Sequence, residues 1–274
     1  MNWIYEKTED NSSRYVLGKE GKKPLVCIGI NPSNAEPERL DNTLKSVERV
    51  AKANGYDSWI MLNVYPQRAT NPNDLHDRRD FDLNRNNISH IKKIIENYKP
   101  EIWAAWGTLI KKRPYLPNCL FEIAELSKRY DCKWLNAGPV SKEGHPHHPL
   151  YLEKNAQLQP FDIDEYVMKT NVKQLFVYIK LLAVSSVDFE LDFLKSLHQS
   201  GLMDSQYYDH MTTRPICIDE EMKQLANADY SFVRALLTAI VREDYYENGS
   251  LTERIKSGDV VKVLKNLKKL YLSS

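Results

Sequence analysis

Cys27-Ile28-Gly29-Ile30-Asn31-Pro32-Ser33 is the stretch around which the chain is organised. Residues 25–30 form a short apolar run, which is typical of a buried strand. The run ends at Asn31-Pro32, because proline fixes its own φ and keeps the preceding residue extended. The Asn31 side chain is therefore predicted to stand at the carboxyl end of a strand, where Gly29 leaves room for a neighbouring group. A plain strand-to-loop turn is the simpler alternative.

Apolar strand patterns and helical patterns alternate after this stretch. The predicted strands cover residues 25–30, 58–64, 101–106 and 133–136, and the predicted helices cover residues 42–54, 82–99 and 118–129. Asp41 or Asn42 is expected to cap the first helix and Asp82 the second. This alternation predicts a three-layer α/β/α domain, with a central parallel sheet covered by helices on both faces. Residues 14–17 before it suggest an edge hairpin.

Unusual polar segments follow each predicted strand. In open parallel sheets, ligands bind beyond the carboxyl ends of the strands. These segments are Asn31 after the first strand, Asn63 to Arg68 after the second, Gly107 after the third, and His145, His147 and His148 after the fourth. Four such segments at one edge are better explained by a shared site than by independent turns.

The composition excludes several classes of function. The chain has 274 residues and a formal net charge of +1, so no global basic field indicates a nucleic-acid partner. Residues 1–160 contain 24 Lys and Arg against 20 Asp and Glu, an excess of only +4. A dinucleotide-binding glycine motif and a P-loop are both missing, and no cofactor is predicted.

The four cysteines are scattered and form no CxxC pair, which argues against a zinc ribbon and iron–sulfur ligation. The N-terminal residues lack the apolar region of a signal peptide, and no apolar run approaches the length of a membrane span. We expect a reduced, cytoplasmic protein without a membrane partner.

The character of the sequence changes near residue 160, because all five tryptophans precede it and only helical patterns follow. Pro160 and the acidic run at residues 162–165 favour a boundary there. We predict an α/β domain over residues 1–164 and an all-α domain over residues 165–274, which is a candidate surface for a protein partner.

The first half resembles the uracil-DNA glycosylase superfamily. Gly29-Ile30-Asn31-Pro32-Ser33 is similar to its first motif, Leu62-Asn63-Val64 to the strand with a base-reading Asn, and residues 104–107 to its third strand. His145-Pro146 or His148-Pro149-Leu150 resembles its His-Pro-Ser motif. The resemblance implies a pocket that acts on a nucleobase, a nucleotide or a nucleic acid by N-glycosidic hydrolysis.

A second resemblance is closer. Residues 31–35, 41–43, 63–65, 68–70 and 144–151 look like a bacterial and phage family of unknown function, numbered sixteen forty-three. The helical half, around residues 236–242 and 258–260, resembles another helical family of unknown function. Neither family implies an established activity.

These resemblances assign roles to particular residues. Asn31 is predicted to hold the attacking water, and His145 or His148 to donate to the leaving base. Asn63 is predicted to read the base edge with one donor and one acceptor, and Arg68 to contact phosphate. The remaining predicted substrate-binding residues are Gly29, Ile30, Pro32, Ser33, Tyr65, Gly107, Leu150 and Tyr151.

Alternatives remain at most of these positions. Asn31 and Pro32 stand where the most efficient relatives carry an acidic residue, which favours a binding module without chemistry as the alternative function. The three histidines also fit a structural role or a metal site with Glu143, although no metal is predicted. Leu150-Tyr151 fits either a wedge in a base stack or core packing, and residues 111–113 fit a phosphate contact or a solvated loop.

Limited proteolysis tests the predicted domain boundary. Cleavage between residues 155 and 172 is expected to leave an independently folded α/β fragment, because each domain would have its own core. A chain that resists proteolysis throughout and unfolds in a single transition would contradict this division.

Overall fold

The computed structural model describes residues 2–153, 155–184, 186–200, 202–204 and 206–273. The chain divides into two compact units, residues 1–167 and residues 168–274. The first unit is α/β and the second is helical. The independent folding of residues 1–164 stays a prediction.

A seven-stranded sheet forms the centre of the first unit. Its strands are β1 (Trp3–Lys7), β2 (Arg14–Lys19), β3 (Pro24–Gly29), β4 (Ser58–Asn63), β5 (Ile102–Ala104), β6 (Trp134–Ala137) and β7 (Leu158–Pro160). The spatial order is β1-β2-β4-β3-β5-β6-β7. The four central strands run parallel to one another, as predicted.

The sheet as a whole is mixed, which corrects the prediction of a parallel sheet. β1 and β2 pair antiparallel because residues 8–13 connect them in a turn too short for a parallel crossover. β2 also pairs antiparallel with β4, and β7 with β6. β7 escaped prediction because it has three residues and ends in Pro160, which cannot donate to a strand ladder.

Three helices connect the parallel strands: α1 (Asn42–Ala53), α2 (Phe81–Tyr98) and α3 (Leu116–Lys128). Asp41 caps α1, since its Oδ1 accepts from the Leu44 backbone N–H at 2.8 Å. The cap of α2 is Asp80, which accepts from Leu83 N–H at 2.9 Å, whereas Asp82 was predicted. Asp82 instead lies one residue inside the helix and pairs with exposed Arg85.

The helices cover both faces of the sheet because successive strand side chains point to opposite sides. Leu25, Cys27, Trp59 and Met61 pack with α1 on one face. The intervening residues Val26, Ile28, Ile60 and Leu62 pack with α2 and α3 on the other face. The chain therefore leaves β3 toward one face and β5 toward the other, which opens a crevice at the carboxyl ends of these neighbouring strands.

The second unit consists of helices around its own core. Its helices, together with the helix at the end of the first unit, are α4 (Ile163–Leu175), α5 (Tyr178–Val184), α6 (Ser186–Gln199), α7 (Tyr207–His210), α8 (Ile218–Met222), α9 (Tyr230–Glu243), α10 (Ser250–Lys256) and α11 (Asp259–Ser273). α9 packs against α7, α10 and α11, and its apolar residues Val233, Leu236 and Ile240 are fully buried. Within the described residues, none of these helices is both long enough and apolar enough for a transmembrane span.

Candidate functional site

The pairing of β3 with β4 brings Gly29 beside Asn63 at the edge of the sheet. The two residues are opposite each other in the parallel register. Pairing continues beyond the strands, since Val64 N–H donates to Gly29 O and Tyr65 N–H to Ile30 O, each at 2.9 Å. The segments that follow the two strands are therefore held side by side. We call residues 30–35 the β3 loop and residues 64–70 the β4 loop.

Asn63 is fully buried, and neither amide atom of its side chain has a hydrogen-bond partner in the described part of the chain. A Cβ atom at Gly29 would lie 3.3 Å from the Asn63 Oδ1 and 2.5 Å from the Met61 Cε, so a larger residue at position 29 would displace these groups. Asn87 Nδ2 fixes the Asn63 backbone by donating to its carbonyl at 3.0 Å. The Asn63 amide thus offers an unused donor and an unused acceptor.

Asn31 joins the two loops. Its Nδ2 donates to the Ala69 carbonyl at 2.7 Å and to the Pro32 carbonyl at 3.2 Å. Since carbonyls only accept, these bonds fix the orientation of the amide and leave Oδ1 as an acceptor. Ala69 N–H also donates to Pro32 O at 3.0 Å. Asn31 therefore has the structural role that the simpler alternative assigned to it, and its oxygen is still available for a water.

A polar cluster lies on the α1 side of the β3 loop. The Ser33 hydroxyl donates to the Asp41 carboxylate, and the Ser33 carbonyl accepts from Arg68 Nη1. Arg68 Nη2 donates to the Tyr5 hydroxyl at 2.9 Å. Arg14 Nη1 donates to the Ala35 carbonyl at 3.0 Å. The predicted residues Ser33 and Arg68 are thus in contact, and Arg14 joins them.

His148 lies against Gly107, where the chain leaves β5. A Cβ atom at Gly107 would approach the His148 Cβ to 3.3 Å, and the φ of +62° at Gly107 favours glycine as well. His148 Nδ1 accepts from Leu150 N–H at 3.3 Å, which leaves the proton of the neutral ring on Nε2. Burial lowers the pKa of His148, although the charge of Asp41 opposes this shift. His148 is therefore a neutral donor close to the polar cluster.

His145 occupies a different environment. It is 4% exposed, its Nδ1 lies 2.8 Å from the Tyr166 hydroxyl, and its Nε2 lies 3.4 Å from Glu143. Trp106 Nε1 donates to the same hydroxyl at 3.0 Å, so Tyr166 joins the tryptophan and the histidine. Both ring nitrogens of His145 are used within this network.

Several predicted site residues lie elsewhere. Tyr65 is fully buried in the core on the α2 side, where its hydroxyl lies 2.9 Å from His76 Nδ1. Leu150 is 45% exposed, which excludes the core packing that the sequence favoured. Ile30 and Pro32 are buried within the β3 loop. The Tyr151 side chain lies outside the described residues.

Two of the basic residues at positions 111–113 are engaged within the protein, and the described histidines form no metal site. Arg113 donates to the carbonyls of Asn73, Leu75 and His76, and Lys111 pairs with Glu143 at 2.7 Å. Among the described residues, no group of three or more His, Cys, Asp or Glu side chains is arranged to hold a metal ion. The three clustered histidines therefore do not converge on one point.

Sequence analysis missed Arg14 and Tyr166. Arg14 was assigned only to an edge hairpin, because a charged residue directly before the apolar run Tyr15-Val16-Leu17 is ordinarily exposed. Tyr166 lies beyond the predicted domain boundary, and no local pattern connects it with His145, which is 21 residues earlier. Only the tertiary structure brings them together.

Each half of the chain matches a protein family model. A family model described as "Protein of unknown function (DUF1643)" matches residues 14–150, which is half of the chain. The chain belongs to this family. Residues 169–273 match a second model, "Family of unknown function (DUF6508)". Comparisons with curated proteins and with solved structures gave no match.

Both predicted resemblances to families of unknown function are thus confirmed. The DUF1643 match begins at Arg14 and ends at Leu150, so it includes the β3 loop, the β4 loop and His148. Tyr166 lies outside the matched segment. Neither family description names an activity, so the chemistry of the DUF1643 domain has to be inferred from its site.

Replacement of Tyr166 by Phe tests the structural role of the His145 network. Tyr166→Phe leaves two buried nitrogens, Trp106 Nε1 and His145 Nδ1, without this hydroxyl, so we expect a loss of about 1–3 kcal/mol in the free energy of unfolding. Tyr130→Phe is the matched control, because its hydroxyl bonds to Glu96 at the surface, and should cost about 0.5 kcal/mol or less. If urea denaturation shows the same loss in the free energy of unfolding for Tyr166→Phe and Tyr130→Phe, this result would contradict a structural role for the network.

The lowered pKa of His148 predicts a pH dependence of stability. The unfolded chain binds a proton near pH 6.5 and the folded chain only at lower pH, so the free energy of unfolding falls as the pH drops below about 6.5. His148→Asn retains an acceptor for the Leu150 N–H but does not titrate. The free energy of unfolding of this variant, measured with urea, should fall less steeply as the pH drops. The difference in slope should be up to about 1.4 kcal/mol per pH unit.

Above pH 7.5 the free energies of unfolding of the unsubstituted protein and of His148→Asn should differ by a constant amount. This constant difference serves as the internal control for the measurement. Identical slopes between pH 7 and pH 5 would show that His148 titrates equally in the folded and unfolded chains.

Proposed function

We propose that the DUF1643 domain recognises a nucleobase in the crevice beside β3 and hydrolyses its N-glycosidic bond. In this proposal the domain has the three-layer architecture of the uracil-DNA glycosylase superfamily. The presence of α1 on one face of the sheet and of α2 and α3 on the other supports this architecture. The unpartnered amide of Asn63 is the observation on which the functional proposal depends.

A buried amide without partners costs about 1–3 kcal/mol for each unsatisfied group, so an apolar residue would be more stable at position 63. A ligand with an adjacent N–H donor and C=O acceptor would satisfy both atoms of Asn63. The Watson–Crick edge of a nucleobase such as uracil has this pattern. Because Asn63 is fully buried, a ligand can reach its amide only when neighbouring groups move. The flexible Met61 thioether beside Gly29 can make this movement.

The residues around this amide suit hydrolysis. The bond between the sugar carbon and the base nitrogen breaks, the base takes the electron pair, and a water oxygen bonds to the sugar carbon. Asn31 Oδ1 positions the water, and the Nε2–H of His148 donates to the developing anion on the base. One proton of the water ends on the departed base, so the reaction is balanced without a cofactor.

The rate of hydrolysis should be modest because, in this proposal, no carboxylate lies beside the water to remove its proton. Asn31 cannot remove a proton near neutral pH, and Asp41 is engaged by Ser33 and by the first turn of α1. The rate should then depend on the stability of the leaving base, so damaged or deaminated bases are the favoured substrates.

The lack of a general base at Asn31 favours a binding module as the second candidate function. Both amide hydrogens of Asn31 are used to join the β3 and β4 loops, and no acidic residue replaces it as a base. A domain of this kind would bind a nucleobase, a nucleotide or a nucleic acid without turnover. The predicted protein partner of residues 165–274 stays a separate prediction.

Base release separates the two candidates. The assay measures free base by chromatography after incubation with damaged and undamaged single-stranded oligonucleotides and with free nucleosides and nucleotides. Release that His148→Asn lowers most for poor leaving groups supports the hydrolase. Binding without release supports the module, and neither binding nor release would reject both.

Asn63→Leu provides the matching structural test. Because both Asn63 amide atoms lack partners, the substitution should leave the free energy of unfolding unchanged or raise it, while base binding is lost. Asn87→Leu is the control, since Asn87 is equally buried but donates to the Asn63 carbonyl, and should destabilise by about 1–3 kcal/mol. If Asn63→Leu destabilises as much as Asn87→Leu, the amide has a structural role and the proposal loses its main support.

A further inference from the structure

Arg14 is a buried cation that the proposed hydrolysis does not use. The residue is 2% exposed, and the only hydrogen bond of its side chain within the described residues joins Nη1 to the Ala35 carbonyl. Its Nε is buried without a partner. A buried charge is ordinarily paired, because removal of an ion from water is costly. Arg14 has no carboxylate within ion-pair distance in the described part of the chain.

Arg68 places a second cation beside Arg14. Its Nη1 and Nη2 bond to the Ser33 carbonyl and to the Tyr5 hydroxyl, and its Nε is also buried without a partner. Burial lowers the pKa of Arg14 to about 10, and repulsion by Arg68 contributes to the shift. Arg14 therefore remains charged near neutral pH, and both side chains bond to the β3 loop that contains Asn31.

Among the groups that act electrostatically on Arg14, Asp41 carries a negative charge. Its carboxylate accepts from the Ser33 hydroxyl and from the Leu44 N–H. Among these three groups the positive charges outnumber the negative charge by one, and Arg14 is buried whereas Arg68 and Asp41 are half-buried. The N-terminus of α1, which begins at Asn42, adds further positive potential at this point.

We propose that Arg14 and Arg68 form an anion subsite of the same crevice, and that it binds the terminal phosphate of a nucleotide. The identity of the attached nucleoside rests on the proposed function, whereas the anion subsite does not. Phosphate oxygens would supply acceptors for the unpartnered N–H groups and would compensate the excess charge. Arginine suits this task because its planar N–H groups match phosphate geometry.

The burial of Arg14 favours a nucleoside monophosphate over a polynucleotide. A terminal phosphate ends the molecule and can be enclosed, whereas a phosphodiester within a strand needs a path out of the pocket on both sides. Two of the other basic residues predicted as phosphate contacts are engaged, since Arg113 bonds to backbone carbonyls and Lys111 to Glu143. The small excess of +4 over residues 1–160 also indicates few contacts with a phosphate backbone.

Calorimetric titration of the full chain tests the subsite. The probes are four deoxynucleoside 5′-monophosphates, the corresponding nucleosides and a short single-stranded DNA without a terminal phosphate. We expect at least one monophosphate to bind about tenfold or more tightly than its nucleoside. Arg68→Gln should abolish this advantage, so that the variant binds a monophosphate no more tightly than the corresponding nucleoside. Arg85→Gln, which removes an exposed arginine of α2, should retain the advantage.

Equal affinity for nucleoside and monophosphate in the unsubstituted protein would overturn the proposal. Retention of the preference in Arg68→Gln would do the same, and so would tighter binding of the single-stranded DNA than of any monophosphate. Arg14→Lys, which keeps the charge but loses the planar N–H pair, should show an intermediate preference if the variant folds. Arg68→Gln decides the question in either case, because Arg68 is only partly buried.

Inorganic phosphate distinguishes a failure of this subsite from a failure of the proposed function. Phosphate should raise the melting temperature of the unsubstituted protein, relative to chloride at equal ionic strength, and should not raise that of Arg68→Gln. This result supports the anion subsite even when no base is bound or released. Conversely, nucleoside binding that depends on Asn63 without any effect of phosphate would support the base pocket and overturn the subsite.

Discussion

The parallel register of β3 and β4 is the constraint on which the candidate site depends. It places Gly29 opposite Asn63 and continues into the loops through hydrogen bonds to the Gly29 and Ile30 carbonyls. A shift by one residue would turn Asn63 to the opposite face of the sheet, into the core formed with α2 and α3. The buried apolar residues on both faces of β4 make such a shift costly, so the core fixes where the amide stands.

The loops beyond these strands are rigid because polar groups of one loop bond to the backbone of the other. Asn31 bonds to Ala69, Arg68 to Ser33, and Arg14 to Ala35. Backbone carbonyls are thereby satisfied at a place where no regular secondary structure can pair them. The same side chains that stabilise this connection also present Asn31 Oδ1 and two guanidinium groups at the crevice. The binding roles that we propose would thus fall on side chains that also hold the loops together.

Much of this arrangement was predictable from sequence. Apolar runs bounded by breakers located the four parallel strands, and the rule for carboxyl ends brought Asn31, Asn63, Gly107 and His148 to one edge. The different environments of His145 and His148 were not predictable. They depend on the contact of His145 with Tyr166 and on the contact of His148 with Gly107, and both are tertiary contacts. The antiparallel edge strand β7 was missed for a local reason, since it is too short for a period-two pattern to be recognised.

The contact between Tyr166 and His145 has a consequence for how domains of this family can be rearranged in evolution. The family match ends at Leu150, yet a histidine within it is hydrogen bonded to a hydroxyl 16 residues downstream of that end. A gene fusion that joined the matched segment directly to another partner would lose this hydroxyl. The exchangeable module is therefore longer than the segment by which it is recognised, and its physical end lies at or after Tyr166.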